Sequence, residues 1–221
     1  MLKNILSIFL EGNCPLCQRS TSQELCQYCL KQLQSCSLEN PRIIADKGLQ
    51  VFAWGMYGGC LKRAIAAMKY ENRPQIGRLL GQFLGESWLL NSPQLEQKLV
   101  IVPIPLHPSK LKLRGYNQAA IIAQGFCETT GFKLKINGLE RLKETKAQFG
   151  LSASDRESNL TEAFAVGKEL RQHHPQTIIL LIDDIYTTGA TAKSAVCTLH
   201  ESNIPVWGLA SVAAAIKDRS T

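Results

Sequence analysis

Between Ile179 and Thr191 the chain reads Ile-Leu-Leu-Ile-Asp-Asp-Ile-Tyr-Thr-Thr-Gly-Ala-Thr, and no other run restricts the possible folds so tightly. Four consecutive apolar residues without alternation form a strand buried on both faces, as in a parallel sheet covered by helices. After the loop, Ala192, Ala195, Val196 and Leu199 recur at three- and four-residue spacing, which predicts a helix. In open parallel sheets ligands bind just beyond the carboxyl ends of the strands. Following Tyr186, the segment Thr187, Thr188, Gly189, Ala190 and Thr191 would gather backbone N–H groups, threonine hydroxyls and a helix N-terminus around one point, which suits a phosphate. Asp183 and Asp184 carry acceptor-only oxygens beside it, suited to a sugar diol or a hydrated Mg²⁺. Phosphate, ribose and metal in a row describe 5-phosphoribosyl 1-diphosphate (PRPP). A capped βα turn accounts for one acid or one threonine, but not for two adjacent acids and three threonines.

The 221 residues suit one α/β domain with a small appendage. No stretch is long and apolar enough to span a bilayer. Met1 to Leu10 is apolar but short and lacks a cleavage site, so it is expected to be an amphipathic helix and the chain to be cytoplasmic. The net charge of +7 favours polyanionic partners, whether diphosphates or nucleic acid.

Five of the eight cysteines fall between positions 14 and 36. Cys14, Cys17, Cys26 and Cys29 form C-x2-C-x8-C-x2-C, two knuckles that together complete a tetrahedral Zn²⁺ site. A module this small needs such a staple to stay folded. The second knuckle argues against a lone redox pair. Cys36 is a spare thiol or a substitute ligand; Cys60, Cys127 and Cys197 lie in helical patterns and are expected to be small core residues. The module either binds nucleic acid or braces the main domain. Residues 1–40 are thus expected to form a zinc-finger-like module with a short N-terminal helix. A polar linker follows over about 37–48, and a second domain covers 49–221.

Within that domain, Val51 to Tyr57 is an expected strand. Leu61, Ala64, Ile65 and Met68 line one helix, and Ile76, Leu80, Phe83, Leu84 and Trp88 line another. Leu99 to Ile104 is a further apolar strand. Its prolines argue against helix directly afterwards, leaving a basic loop in which Lys110, Lys112 and Arg114 could hold a diphosphate by charge-assisted bonds. His107, between prolines, is read as structural. The long polar stretch from Arg141 to Asn159 is unusual inside a compact domain unless it is a lid or binding loop, the alternative being a partial helix from Ser154; Arg141, Lys146 and Arg156 are candidates to close over an anionic substrate.

In this order the pieces resemble the ComF family of competence-associated, amidophosphoribosyltransferase-like proteins. The resemblance is carried by the paired cysteine knuckles, Val102-Pro103-Ile104-Pro105-Leu106-His107, Arg114-Gly115-Tyr116-Asn117-Gln118, the series Arg141, Thr145, Gln148, Leu151, Arg156, Asn159, and the acid and threonine segment. It implies an N-terminal zinc finger joined to a type I phosphoribosyltransferase-like parallel sheet flanked by helices, with PRPP and Mg²⁺ as ligands. It also implies a role in natural transformation and DNA uptake, on internalised single-stranded DNA. Three functions are compatible with it: transfer of phosphoribose from PRPP to an acceptor, non-catalytic handling of single-stranded DNA with PRPP or a nucleotide as signal, and a scaffold for a helicase or another competence protein.

Overall fold

The computed structural model describes residues 12–44, 48–93, 99–142, 163–172 and 177–215. In chain order they form β1 (Gly12–Asn13), β2 (Ser20–Thr21), α1 (Gln27–Gln34), β3 (Arg42–Ile44), β4 (Gln50–Met56), α2 (Gly59–Tyr70), α3 (Pro74–Asn91) and β5 (Leu99–Pro103). There follow α4 (Pro108–Arg114), α5 (Gln118–Thr130), β6 (Lys133–Leu134), β7 (Leu139–Arg141), β8 (Phe164–Val166), β9 (Ile178–Tyr186), α6 (Ala190–Glu201) and β10 (Val206–Ala214).

Six strands make the main sheet in the order β3-β4-β10-β9-β5-β6. All pairs are parallel except the edge pair β3–β4. The apolar run read from the sequence is β9, and it lies between β10 and β5, as burial on both faces requires. Side chains alternate across it. Leu180 and Ile182 join a core with Phe52, Met68, Trp88 and Phe126 on the side of α2, α3 and α5. Ile179 and Leu181 join a second core with Ala192, Ala195 and Leu199 of α6. The structure is therefore α/β, with a parallel sheet between helical layers.

The α3–α5 contact is closer than apolar periodicity suggests. Gly77, Gly81 and Gly85 recur every four residues and so share one face of α3. A Cβ on Gly81 would stand 2.1 Å from the Ile122 carbonyl oxygen of α5, and one on Gly125 would stand 2.2 Å from the Arg78 carbonyl oxygen of α3. Only hydrogen at these positions lets the two backbones touch. Trp88 and Phe126 pack edge to face beside the contact, their ring centroids 5.9 Å apart.

Several expectations change. The stretch read as a linker supplies β3 and a bridge from Ser37 to Gly55, so it extends the sheet edge. The basic loop is the helix α4: Pro108 occupies a first-turn position, where its missing N–H costs nothing, and the His107 ring accepts the Ser109 N–H as a cap. Cys60 is buried as expected, whereas Cys197 is exposed on α6. The expected N-terminal helix lies outside the described residues, as does most of the expected lid.

Candidate functional site

The hydroxyl loop turns directly off the end of β9. Gly189 adopts a left-handed backbone, φ 72°, at the cap of α6, and a Cβ there would also meet the Tyr186 ring at 2.9 Å. The Thr188 hydroxyl accepts the Ala190 N–H at 3.4 Å. An open recess forms over this turn, lined by Asp183, Tyr186, Thr187, Gly189, Ala190 and Thr191. Six of the residues singled out from the sequence are thus brought to one concavity at the carboxyl end of the central strand.

The acids are part of β9, which continues to Tyr186, so they point to opposite faces. Asp183 lines the recess; its Oδ1 accepts the Asp184 N–H at 2.8 Å. Asp184 is buried, 5% exposed, and its Oδ2 lies 2.5 Å from the Nζ of Lys69 in the last turn of α2. That oxygen has no other polar partner among the described residues. Burial, and then the neighbouring Asp184 charge, push the Asp183 carboxyl up to about 8, while the Asp184 N–H, Lys69 and Arg141 pull the other way.

The folded protein keeps a proton on Asp183 that the unfolded chain releases above its ordinary 3.8, so stability should fall as pH rises from about 4 to about 8 and then level off. Asp183→Asn should flatten that slope. Thermal midpoints across this pH range, compared between the two proteins, read the effect; parallel slopes would rule it out.

The basic segment is anchored to the same end of the sheet. Asn117 donates to the Ile104 carbonyl at 3.0 Å and caps α5 by accepting the Ala119 N–H at 3.1 Å. The Tyr116 hydroxyl donates to the Met68 carbonyl. Arg114 donates to Gln118 Oε1 at 2.5 Å and lies over the Tyr70 ring, 5.7 Å from its centroid. Its guanidinium is thus committed within the protein, while Lys110 and Lys112 are exposed residues of α4. Arg141 sits at the end of β7 over the Phe164 ring, and its charge reaches Asp183. Lys146 and Arg156 lie outside the described residues. Lys69 was not among the residues singled out from the sequence.

The cysteine knuckles are built by two different local devices. Cys14 and Cys17 sit on the turn of the β1–β2 hairpin, where the Cys17 and Gln18 N–H groups donate to the Cys14 carbonyl and Gln18 takes φ 63° to close it. Cys26 caps α1 and Cys29 occupies its first turn. The four sulfur atoms lie within 4.8 Å of one another. Zinc–sulfur bonds of 2.3 Å in a tetrahedron place sulfurs about 3.8 Å apart, so the cluster fits one zinc ion. Burial works to raise the Cys14 thiol, but the N–H groups of Cys26, Leu16 and Cys17 outweigh it and hold it at about 7, favouring thiolate. Cys36 stands outside the cluster, its thiol donating to the Gln32 carbonyl. Cys14, Leu25, Cys29 and Leu33 belong to the same core as Phe52 and Trp88.

A central parallel strand ending in an acid pair and a hydroxyl loop, with a four-cysteine cluster ahead of it in the chain, defines a parallel-sheet α/β protein with a recess at the carboxyl end of its central strand and a zinc-finger-like appendage. No family model matches the chain. It is 31% identical to Competence protein F of Haemophilus influenzae over 93% of both chains. It is 27% identical to the DNA utilization protein YhgH of Salmonella typhimurium, over 90% of this chain and 89% of the relative. Among solved structures it is similar to the adenine phosphoribosyltransferase of Trypanosoma brucei, with TM-score 0.43 and 11% identity over 84% of this chain and 67% of that one. The chain belongs to the ComF family. Among the described residues no helix is long and apolar enough to cross a membrane.

Proposed function

We propose that the chain binds PRPP in the recess over the β9–α6 turn and transfers its phosphoribosyl group to an acceptor during DNA uptake. The observation that carries this is the convergence of Asp183, Thr187, Gly189 and Thr191 on one concavity beyond the central parallel strand. In this scheme the hydroxyls and N–H groups of Thr187 to Thr191 take the 5-phosphate. Asp183, giving up its proton as the ligand and its cation bind, accepts from the ribose hydroxyls, with Asp184 on the other face of the strand. Lys110 and Lys112 face the diphosphate as point charges, and Arg141 closes the side nearest Asp183. Bond breaking at the anomeric carbon builds positive character on the sugar and negative charge on the leaving group, so these residues contribute positioning and charge stabilisation. The recess, with an acceptor-only carboxylate beside hydroxyls, fits a hydrated Mg²⁺ carried by the diphosphate; bound there, the metal would neutralise leaving-group charge.

Calorimetric titration with PRPP, with and without Mg²⁺, tests the assignment. Wild type should bind with Mg²⁺, and Asp183→Asn should lose binding by about tenfold or more, as when a buried polar site loses its charged acceptor. Equal affinity in the variant would sink the role of Asp183. A DNA-uptake setting is supported by the names of the relatives, a competence protein and a DNA utilization protein.

A second function is favoured by one surface. Tyr70, whose ring lies against Arg114, is 77% exposed, and Leu113, next to Lys112 in α4, is 90% exposed, a combination suited to the bases and phosphates of single-stranded DNA. Salt-dependent binding of an oligonucleotide, with no diphosphate released, would place handling of DNA ahead of transfer.

A further inference from the structure

Three contacts converge on the last residues of α2. Lys69 forms the ion pair with Asp184, the Met68 carbonyl receives the Tyr116 hydroxyl, and the Tyr70 ring lies under Arg114. The first reaches the acid pair of β9; the other two reach the segment joining α4 to α5. The basic segment is already tied to β9 through Ile104, which donates to the Ile182 carbonyl and accepts from Asn117, and this turn of α2 adds a second connection between the residues proposed for ribose and those proposed for diphosphate.

The ion pair is costly unless it serves a purpose. Both partners are largely removed from water, with side-chain exposures of 16% for Lys69 and 7% for Asp184. A pair of apolar residues of similar volume would hold the same contact without the desolvation penalty. What the ammonium supplies, and an apolar contact could not, is a fixed orientation for the buried carboxylate of the residue after Asp183, on the other face of β9, whose charge acts on Asp183.

We propose that Lys69 is a positioning residue for this site: it locks Asp184, and the Met68–Tyr70 turn that carries it sets the distance between the acid pair and the basic segment. The inference rests on the assignment of the recess to PRPP. Lys69 touches Asp184 and not the reacting atoms, so it acts on binding geometry. A ligand bridging both halves depends on their spacing and on Asp184, a ribose phosphate depends on the acid pair alone, and free diphosphate depends on neither.

The test is calorimetric titration of wild type, K69M and K69R with PRPP, ribose 5-phosphate and inorganic diphosphate, at a temperature where near-ultraviolet circular dichroism reports a folded protein. K69M should lose about 10–100-fold in PRPP affinity, the usual range for losing an outer residue that orients a ligand-binding group. Ribose 5-phosphate should weaken with it, inorganic diphosphate should change by less than about threefold, and K69R should recover most of the loss. A merely structural lysine would leave all three ligands unchanged in the folded protein. Should K69M fail to fold, K69Q in a D184N background leaves no buried charge unpaired, and it should bind PRPP no more weakly than D184N alone. Wild-type binding with an unchanged K69M, or additive losses in the double variant, overturns the positioning role alone. No PRPP binding by folded wild type overturns the functional assignment, and this role with it.

Discussion

Cys29→Ser, or stripping the metal with a strong chelator, is expected to unfold the N-terminal module and to lower the thermal midpoint of the whole chain by roughly 10 °C or more. A structural zinc site contributes about 10–16 kcal/mol of apparent binding energy in isolated fingers, and that energy is folding energy. Cys29 is 1% exposed, and Leu25 and Leu33, 2% and 0% exposed, flank it within a cluster continuous with Phe52 and Trp88. The Cys60 thiol of α2 also points to the Cys29 carbonyl at 4.0 Å. Losing the module therefore uncovers apolar surface on α2 and β4, which is why a drop of several kcal/mol should reach the sheet. At this chain length each kcal/mol moves the midpoint by about 2–4 °C. Melting followed by far-ultraviolet circular dichroism, with colorimetric assay of released zinc, provides both readouts. Cys36→Ser, whose thiol is outside the cluster, serves as the control and should shift the midpoint little. Equal midpoints for wild type and Cys29→Ser would mean that the module contributes nothing to the main core.

Gly81→Leu should be nearly as damaging, for a steric reason. The first added carbon would lie 2.1 Å from the Ile122 oxygen and 3.0 Å from the Phe126 nitrogen, both backbone atoms that no rotamer change can move. The helices must separate, and the packing of Trp88 against Phe52 and Phe126 loosens with them. Overpacking of this kind costs about 1–3 kcal/mol where side chains can yield, and more where they cannot. Chemical denaturation should therefore show a loss of about 3 kcal/mol or more with unchanged slope. By contrast Gly12 has open space around it, and Gly12→Ala should leave the midpoint near wild type. A Gly81→Leu protein as stable as wild type would mean that α3 and α5 do not meet backbone to backbone.

What could be read from the sequence followed from strong local patterns. The run Ile179 to Thr191 is a strand, turn and helix with its acids and threonines at one end, and Cys14, Cys17, Cys26 and Cys29 do cluster. The helices lined by Leu61 to Met68 and by Ile76 to Trp88 formed where the period indicated. Other features depended on rules available but overridden. Prolines beside Lys110 suggested a loop, yet Pro108 at the start of α4 is a favoured helix position. Two adjacent residues in a strand must face opposite ways, which already separates Asp183 from Asp184. The repeat of Gly77, Gly81 and Gly85 was visible, but apolar periodicity gives glycine no weight. Lys69 had no local signal at all: a lysine in the last turn of a helix looks like an ordinary cation at the helix C-terminus. Its partner is far along the chain, and only tertiary packing brings them together.

The position of β4 in the sheet bears on how the chain comes together during synthesis. Val51 pairs with Leu209 and Phe52 with Ala210, so the strand that follows the cysteine module has its parallel neighbour near the other end of the sequence. At about 5–20 residues per second, a ribosome needs roughly 8–30 s between making the two. Over that interval the cysteine module can order itself, while β4 has only the short β3 to pair with and the apolar face of α2 lacks the side chains of β9 and β10. The nascent chain thus carries an exposed, strand-prone segment beside an already ordered finger, and completion of the sheet waits for β10.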